Sequence, residues 1–135
     1  MLRAFVPAEL VPVLAPLYQA RQREVNFETN QDAPVGGHSA ISTRFDPARG
    51  VAWVTLDQIT SGAFDGIWAA IKAMETSASA ATVFVDLPID DPGCSHLTVQ
   101  LLSEGLRLAG VGPRFRKVDD ERRAEDVLRL QFNPG

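Results

Sequence analysis

The densest group of chemically capable side chains in this sequence is Asp90-Asp91-Pro92-Gly93-Cys94-Ser95-His96. Three kinds of chemistry compete for it. As metal ligands, Cys94 and His96 stand two residues apart at the start of an expected helix, where side chains at i and i+2 point apart and not toward one ion. Only His38 remains elsewhere as a second histidine, so no metal is expected. As a nucleophile, Cys94 would gain thiolate character from a helix N-terminus, but Asp90 and Asp91 beside it oppose loss of the proton. The third reading is structural, and the residue types favour it. Asp91 can accept from the free N–H groups of a helix start, and Pro92 has its φ preset for the first helical position.

The elements around this group must position it. Thr82-Val-Phe-Val-Asp-Leu-Pro88 is a block of β-branched and apolar residues that no polar residue interrupts until Asp86. It reads as a strand buried on both faces, at the centre of a sheet. An apolar-periodic run from Leu97 to Leu106 follows, so residues 82 to 106 are expected to form one strand, one tight polar turn and one helix. Ahead of them, Ala63, Phe64, Ile67, Trp68, Ile71 and Met74 fall at the spacing of one helical face, with Thr60 or Ser61 as cap and Thr76 to Ala80 as the end. Ser39 to Phe45 and Val51 to Leu56 read as an antiparallel pair turned at Asp46-Pro-Ala-Arg-Gly50.

Toward the N-terminus, Leu10, Val11, Leu14, Leu17 and Tyr18 line one face of a helix over Pro7 to Arg21, short or kinked because of Pro12 and Pro16. Glu24 to Thr29 alternates as a half-exposed strand should, and Asn30 to Gly37 is a loop. Toward the C-terminus, Gly110-Val-Gly112 is expected to turn the chain, Arg114 to Val118 to form a strand, Asp119 to Glu125 a solvated charged loop, and Asp126 to Phe132 a closing strand. The expected architecture is one domain, 1–135, of mixed α/β (α+β) class, with a mostly antiparallel central sheet flanked by helices.

Composition narrows the function classes. With 135 residues, 45% hydrophobic content and a formal charge of -4, the chain can bury one core and lacks a concentrated basic face, so nucleic acid is not an expected partner. Cys94 is the single cysteine, which suits a reducing, cytoplasmic setting. The opening Met1 to Pro7 lacks the apolar core of a signal peptide, and no apolar run approaches the roughly 20 residues of a spanning helix, so no membrane association is expected.

The order of elements, together with Val83-Phe-Val-Asp-Leu-Pro-Ile-Asp-Asp-Pro92, the stretch Gly105 to Pro113, and Asp126-Val-Leu-Arg-Leu-Gln131 followed by Asn133, resembles the Gcn5-related N-acetyltransferase (GNAT) fold. The wording is similar to a GNAT-like domain of bacterial signalling proteins, which often follows an anti-sigma-factor-type ATPase domain. Pro7 to Tyr18 is similar to that group's opening helix, so the resemblance spans nearly the whole chain. It implies acetyl-CoA as a cofactor, with its pyrophosphate on a loop of the form Q/R-x-x-G-x-G/A after the fourth strand. Here that stretch is Gln58-Ile-Thr-Ser-Gly-Ala63: Gln58 and Ala63 match, Ser61 stands where glycine is wanted, and Gly62 falls one position late. The competing reading is a capped helix start. The resemblance also implies a base, for which Asp57 and Glu104 are candidates, and a tyrosine acid beyond the fifth strand; no tyrosine lies beyond Tyr18.

The expectation is therefore a non-catalytic or degenerate GNAT-like module that binds a protein partner or a small ligand. The alternative is an active acetyl-CoA-dependent N-acetyltransferase. A lesser alternative sets Asp86, a turn and Ser95 beside the phosphorylatable turn of anti-sigma-factor antagonist domains, although the Asp-Ser-Ser-Gly wording is absent. Finally, the closing strand Asp126 to Phe132, near the chain end and with Leu128, Leu130 and Phe132 on one face, is expected at or near a sheet margin, whose unpaired groups would suit a homodimer; the resemblance points to the same region.

Overall fold

The computed structural model describes residues 2–30, 32–36, 40–118 and 121–134, of which 113–118 and 121–125 are described by backbone alone. The chain runs β1 (Leu2–Phe5), a single 3-10 turn (Ala8–Leu10), α1 (Val11–Ala20), β2 (Val25–Glu28), β3 (Ile41–Asp46), β4 (Val51–Leu56), α2 (Ala63–Ser77), β5 (Thr82–Pro88), α3 (Cys94–Ser103), β6 (Arg107–Val118) and β7 (Glu121–Phe132). Five strands form one mixed, mostly antiparallel sheet in the order β3-β4-β5-β7-β6. β1 and β2 pair in parallel as a separate ribbon. That ribbon is fastened to the large sheet where the Phe5 N–H meets the Ile89 carbonyl at 2.8 Å.

Alternation along the strands divides the sheet into two unlike faces. On one face Ala52, Val54 and Leu56 of β4, Val83, Val85 and Leu87 of β5, and Leu128 and Leu130 of β7 are all buried. They belong to one core with Ala63, Ile67 and Ile71 of α2 and Cys94, Leu97 and Leu101 of α3. α2 sits on this face so closely that a Cβ at Gly66 would lie 2.6 Å from the Ile41 side chain. On the other face stand Trp53, Thr55, Phe84 and Arg129, all half-buried, and neither Trp53 nor Phe84 joins the core. The expected strand at Thr82 to Pro88 is thus interior, between β4 and β7, but buried fully on one face only.

Several boundaries differ from expectation for identifiable reasons. α3 occupies Cys94–Ser103 and not the run to Leu106. Gly105, at φ +99°, takes the left-handed turn, with the Leu106 N–H on the Leu101 carbonyl and the Gly105 N–H on the Leu102 carbonyl. This Schellman arrangement buries Leu106 just past the helix, where it continues the apolar period without being helical. Neither Thr60 nor Ser61 caps α2: its N-cap is Gly62, with no side-chain cap. Asp91 does not cap α3 either, since the N-cap is Gly93. In α1, Pro12 falls in the first turn, where a missing N–H is harmless, and the helix continues past Pro16.

The largest correction lies at the C-terminal end. Gly110 to Gly112 does not turn the chain; it lies inside β6, where the register slips between Leu108 and Gly110 as a bulge. The charged run expected as a loop supplies residues 121–125 of β7, paired with β6 from Arg114↔Glu125 to Val118↔Glu121, while Asp119 and Asp120 lie outside the described residues. β7 pairs with β5 on one side and β6 on the other, so Asp126 to Phe132 is no sheet margin; β3 and β6 are. The strand Leu2–Phe5 carries too few residues for its alternation to be read. No helix among the described residues is long and apolar enough to cross a membrane.

Val85, fully buried between two hydrogen-bonded neighbours, reports directly on this architecture. An unpaired carboxylate there costs several kcal/mol against a whole stability of roughly 5–15 kcal/mol. Val85→Asp is expected to abolish the cooperative thermal transition followed by circular dichroism.

Candidate functional site

The segment Gln58 to Ala63 connects β4 to α2 and is closed on itself. Ile59, Thr60 and Ala63 are buried, and Gln58 and Ser61 are exposed. The Ile59 N–H donates to Asp91 Oδ2 at 3.0 Å, the Ala63 N–H to the Thr60 carbonyl at 3.1 Å, and Ser61 Oγ to the Gly36 carbonyl. Asp91 Oδ1 meanwhile accepts the Gly93 N–H at 2.9 Å. One carboxylate therefore locks the loop after β4 to the turn after β5. The recess beside it, between Ser61, Phe64, His96 and Gln100, holds about 160 Å³.

The other residues singled out from sequence are dispersed or shut away. Asp57 and Glu104 are both exposed. α3 begins beside Ile59 and runs ten residues, about 15 Å, before Glu104 is reached, so the two do not share a site. Cys94 is completely buried, with its Sγ 3.8 Å from Thr98 Oγ1. Burial pushes its thiol up to about 12, and the charges of Asp91 and Asp90 add to this against the opposing Thr98 contact. Ser95 is buried in the first turn of α3, out of reach of a modifying enzyme in the folded chain. His38 lies outside the described residues. Among the described residues no group of three His, Cys, Asp or Glu side chains could hold a metal ion.

Tyr18 is also fully buried, beside Asp126, whose Oδ1 takes Arg23 Nη1 at 2.5 Å. Burial first, and then the Asp126 carboxylate, hold its hydroxyl above the usual phenol range. It is a poor acid with no route to a substrate.

What reasoning from sequence missed is the open face of the sheet. Register lines its residues in rows: Arg44 faces Trp53, which faces Phe84, which faces Gln131; beside them Ser42, Thr55, Asp86, Arg129 and Gly110 form a second row. Asp86, nearly inaccessible, is gripped at both oxygens by Arg129, with Nε to Oδ1 at 2.7 Å and Nη2 to Oδ2 at 2.8 Å. The Arg129 guanidinium also lies 5.2 Å from the Phe84 ring centre, and Arg44 lies 4.2 Å from that of Trp53. Between them runs a trough of about 580 Å³, lined by Arg44, Trp53, Thr55, Asp86, Arg129 and the glycine-containing stretch of β6. The available signal was alternation: Ala52, Val54 and Leu56 face the core, leaving Trp53 and Thr55 together on the opposite side.

Comparison of the chain with protein families, with characterised proteins and with solved structures gives no match.

Two outcomes follow from these environments. Arg129→Met leaves the Asp86 carboxylate buried without its partner. The expected loss is about 2–3 kcal/mol by chemical denaturation, less than the roughly 3–5 kcal/mol of a fully buried pair because the Arg129 side chain is 40% exposed. Adding Asp86→Asn is expected to recover part of that loss. For Cys94, the unfolded thiol ionises near 8.5 whereas the folded one does not until about 12. Its contribution to stability is therefore complete below about pH 8.5 and disappears as pH rises toward 12. Alkylation at pH 8 is expected to be negligible in the native protein and complete in denaturant, and Cys94→Ala should flatten the alkaline decline of stability.

Proposed function

We propose that this chain is a binding module of a bacterial regulatory or signalling system, cytoplasmic, built on a GNAT-like scaffold and not performing acyl transfer. The observation that carries this reading is the Asp91 carboxylate on the Ile59 N–H. A pyrophosphate seated on Gln58 to Ala63 needs free N–H groups and a positive field, as at the start of a helix. Here an anion already holds that backbone, and a second anion beside it would be repelled. The resemblance to the GNAT-like signalling domains supplies the scaffold, and the order of elements from α1 onward, helix, strand, two strands, helix, strand, helix, two strands, agrees with it.

The remaining groups support the same reading. Acyl transfer to an amine needs a base within hydrogen-bond reach of the proton it removes and an acid near the leaving thiolate. Asp57 and Glu104 are exposed at separate places, and Tyr18 is buried on the inner face of α1. The large concavity on the open face offers a surface for recognition, and a second copy or another protein has the β3 and β6 margins for strand pairing.

Calorimetric titration with acetyl-CoA tests the proposal. No heat of binding is expected up to millimolar cofactor. Micromolar binding that disappears in Ser61→Glu would establish the acyltransferase instead.

A further inference from the structure

We propose that the trough on the open sheet face is a binding site for a small organic anion carrying a planar ring, of the aromatic-carboxylate class. This deepens the binding-module reading, on which it rests, by naming what the module takes. Three independent features carry it.

The first is that the trough is kept empty by composition. Gly110 and Gly112 both lie on the open side of β6, and a Cβ built on either meets nothing within 4 Å. Gly110 has a backbone reason to be glycine, since its φ of +156° occurs at the bulge. Gly112 has no such reason: its φ is not in the left-handed region, and any side chain would fit the backbone. What its missing side chain does is leave space, opposite the Trp53 and Arg44 wall. The resulting volume, about 580 Å³, falls within the roughly 300–1,000 Å³ of ordinary small-molecule sites.

The second feature is a planar wall. Trp53 and Phe84 are neighbours across the β4–β5 ladder, with ring centres 6.4 Å apart and planes inclined by 34°. Both are half-buried outside the core, and Trp53 lines the trough with the Arg44 guanidinium 4.2 Å from its ring centre, so a flat ligand would stack on that layered pair while Phe84, under Arg129, backs it from outside the lining. Aromatic side chains facing a trough offer stacking that an aliphatic ligand of the same volume does not exploit.

The third is charge. The Asp86 carboxylate is saturated by Arg129, and Arg44 has no carboxylate partner among the described residues. Among the described residues, two guanidinium groups face one carboxylate in the trough, on a chain whose formal charge is -4. Arg44 is exposed and lies over Trp53 in the trough lining, and the edge of a guanidinium can hold a carboxylate at two points. The hydroxyls of Ser42 and Thr55 stand in the adjoining row. A cationic ligand would find Asp86 already paired and the Trp53 ring already covered by Arg44. A nucleic-acid strand would need many phosphate contacts, whereas the described lining offers two guanidinium groups, of which Arg129 is held by Asp86.

The test uses the two tryptophans as their own control, because Trp53 lines the trough whereas Trp68 packs against Phe132 on the core side. Indole N–H resonances are followed by heteronuclear NMR during titration with indole-3-carboxylate, with the uncharged indole-3-carboxamide and with the non-planar cyclohexanecarboxylate. Saturable movement of the Trp53 resonance, with Trp68 still, is expected for indole-3-carboxylate, and at least tenfold weaker binding for the other two. Gly112→Val is expected to abolish the response at an unchanged thermal midpoint. Arg44→Ala, at an exposed position on the edge strand β3, is expected to weaken it at least tenfold. A Trp53 resonance that stays in place at millimolar indole-3-carboxylate, equal binding of the carboxamide, or an unaltered response in Arg44→Ala overturns the proposal. Such a failure with acetyl-CoA also silent removes the ligand class and leaves the binding module standing; acetyl-CoA binding at Gln58 to Ala63 removes the module reading itself.

Discussion

Two neighbouring parallel strands cannot be joined by a tight turn, and the pairing of Val51–Thr55 with Thr82–Asp86 is the constraint on which the remainder of this structure hangs. The chain must leave the end of β4, cross the sheet and return to the start of β5. The crossing is made by α2, whose Ala63, Ile67 and Ile71 are buried. Its return is fixed where the Ala81 and Thr82 N–H groups both reach the Gly50 carbonyl, beside the β3–β4 turn. The helices α2 and α3 join a core on one side of the sheet, and the other side is left to be compatible with water.

That requirement explains the mixed character of the open face. A bare sheet surface of Trp53 and Phe84 would be an apolar patch, and a bare Asp86 would be a buried charge. Arginines resolve both at once: Arg129 neutralises Asp86 while its guanidinium lies over Phe84, and Arg44 lies over Trp53 with its charge toward solvent. A guanidinium is suited to this because it stacks on a ring and hydrogen-bonds in its own plane, which an ammonium cannot do. Arg129 is therefore held above the usual arginine range chiefly by its hydrogen bonds to Asp86.

How much of this is legible in the sequence differs from element to element. α2 is legible because six residues of one period specify a single buried face. β5 is legible as an interior strand because its apolar run is continuous, but continuity hides that Phe84 belongs to a different surface from Val83 and Val85. β7 is half legible: from Asp126 on it alternates, whereas residues 121–125 are charged at nearly every position and carry no apolar period, since β6 alone pairs with them. Asp91 illustrates the limit for the candidate site. Its position before Pro92 signals a helix start, and only the three-dimensional neighbourhood of Ile59, 32 residues earlier, turns it into a lock on another loop. The trough is illegible for the same reason, being assembled from β3, β4, β5, β6 and β7 by register alone.

The strand order has a consequence for how such a chain reaches its native state. At each side of the sheet lies a hairpin, β3–β4 and β6–β7, closed by residues adjacent in sequence and able to form from local contacts. Between them stands β5, paired to β4 across α2 and to β7 across α3 and β6. Neither hairpin buries its inner side until β5 is in place, so the entropic barrier lies in closing those two longer loops and not in forming the turns. Interactions within β5 and within the two outer hairpins then govern the rate of folding, while those made only after β5 is in place govern mainly how fast the native chain comes apart.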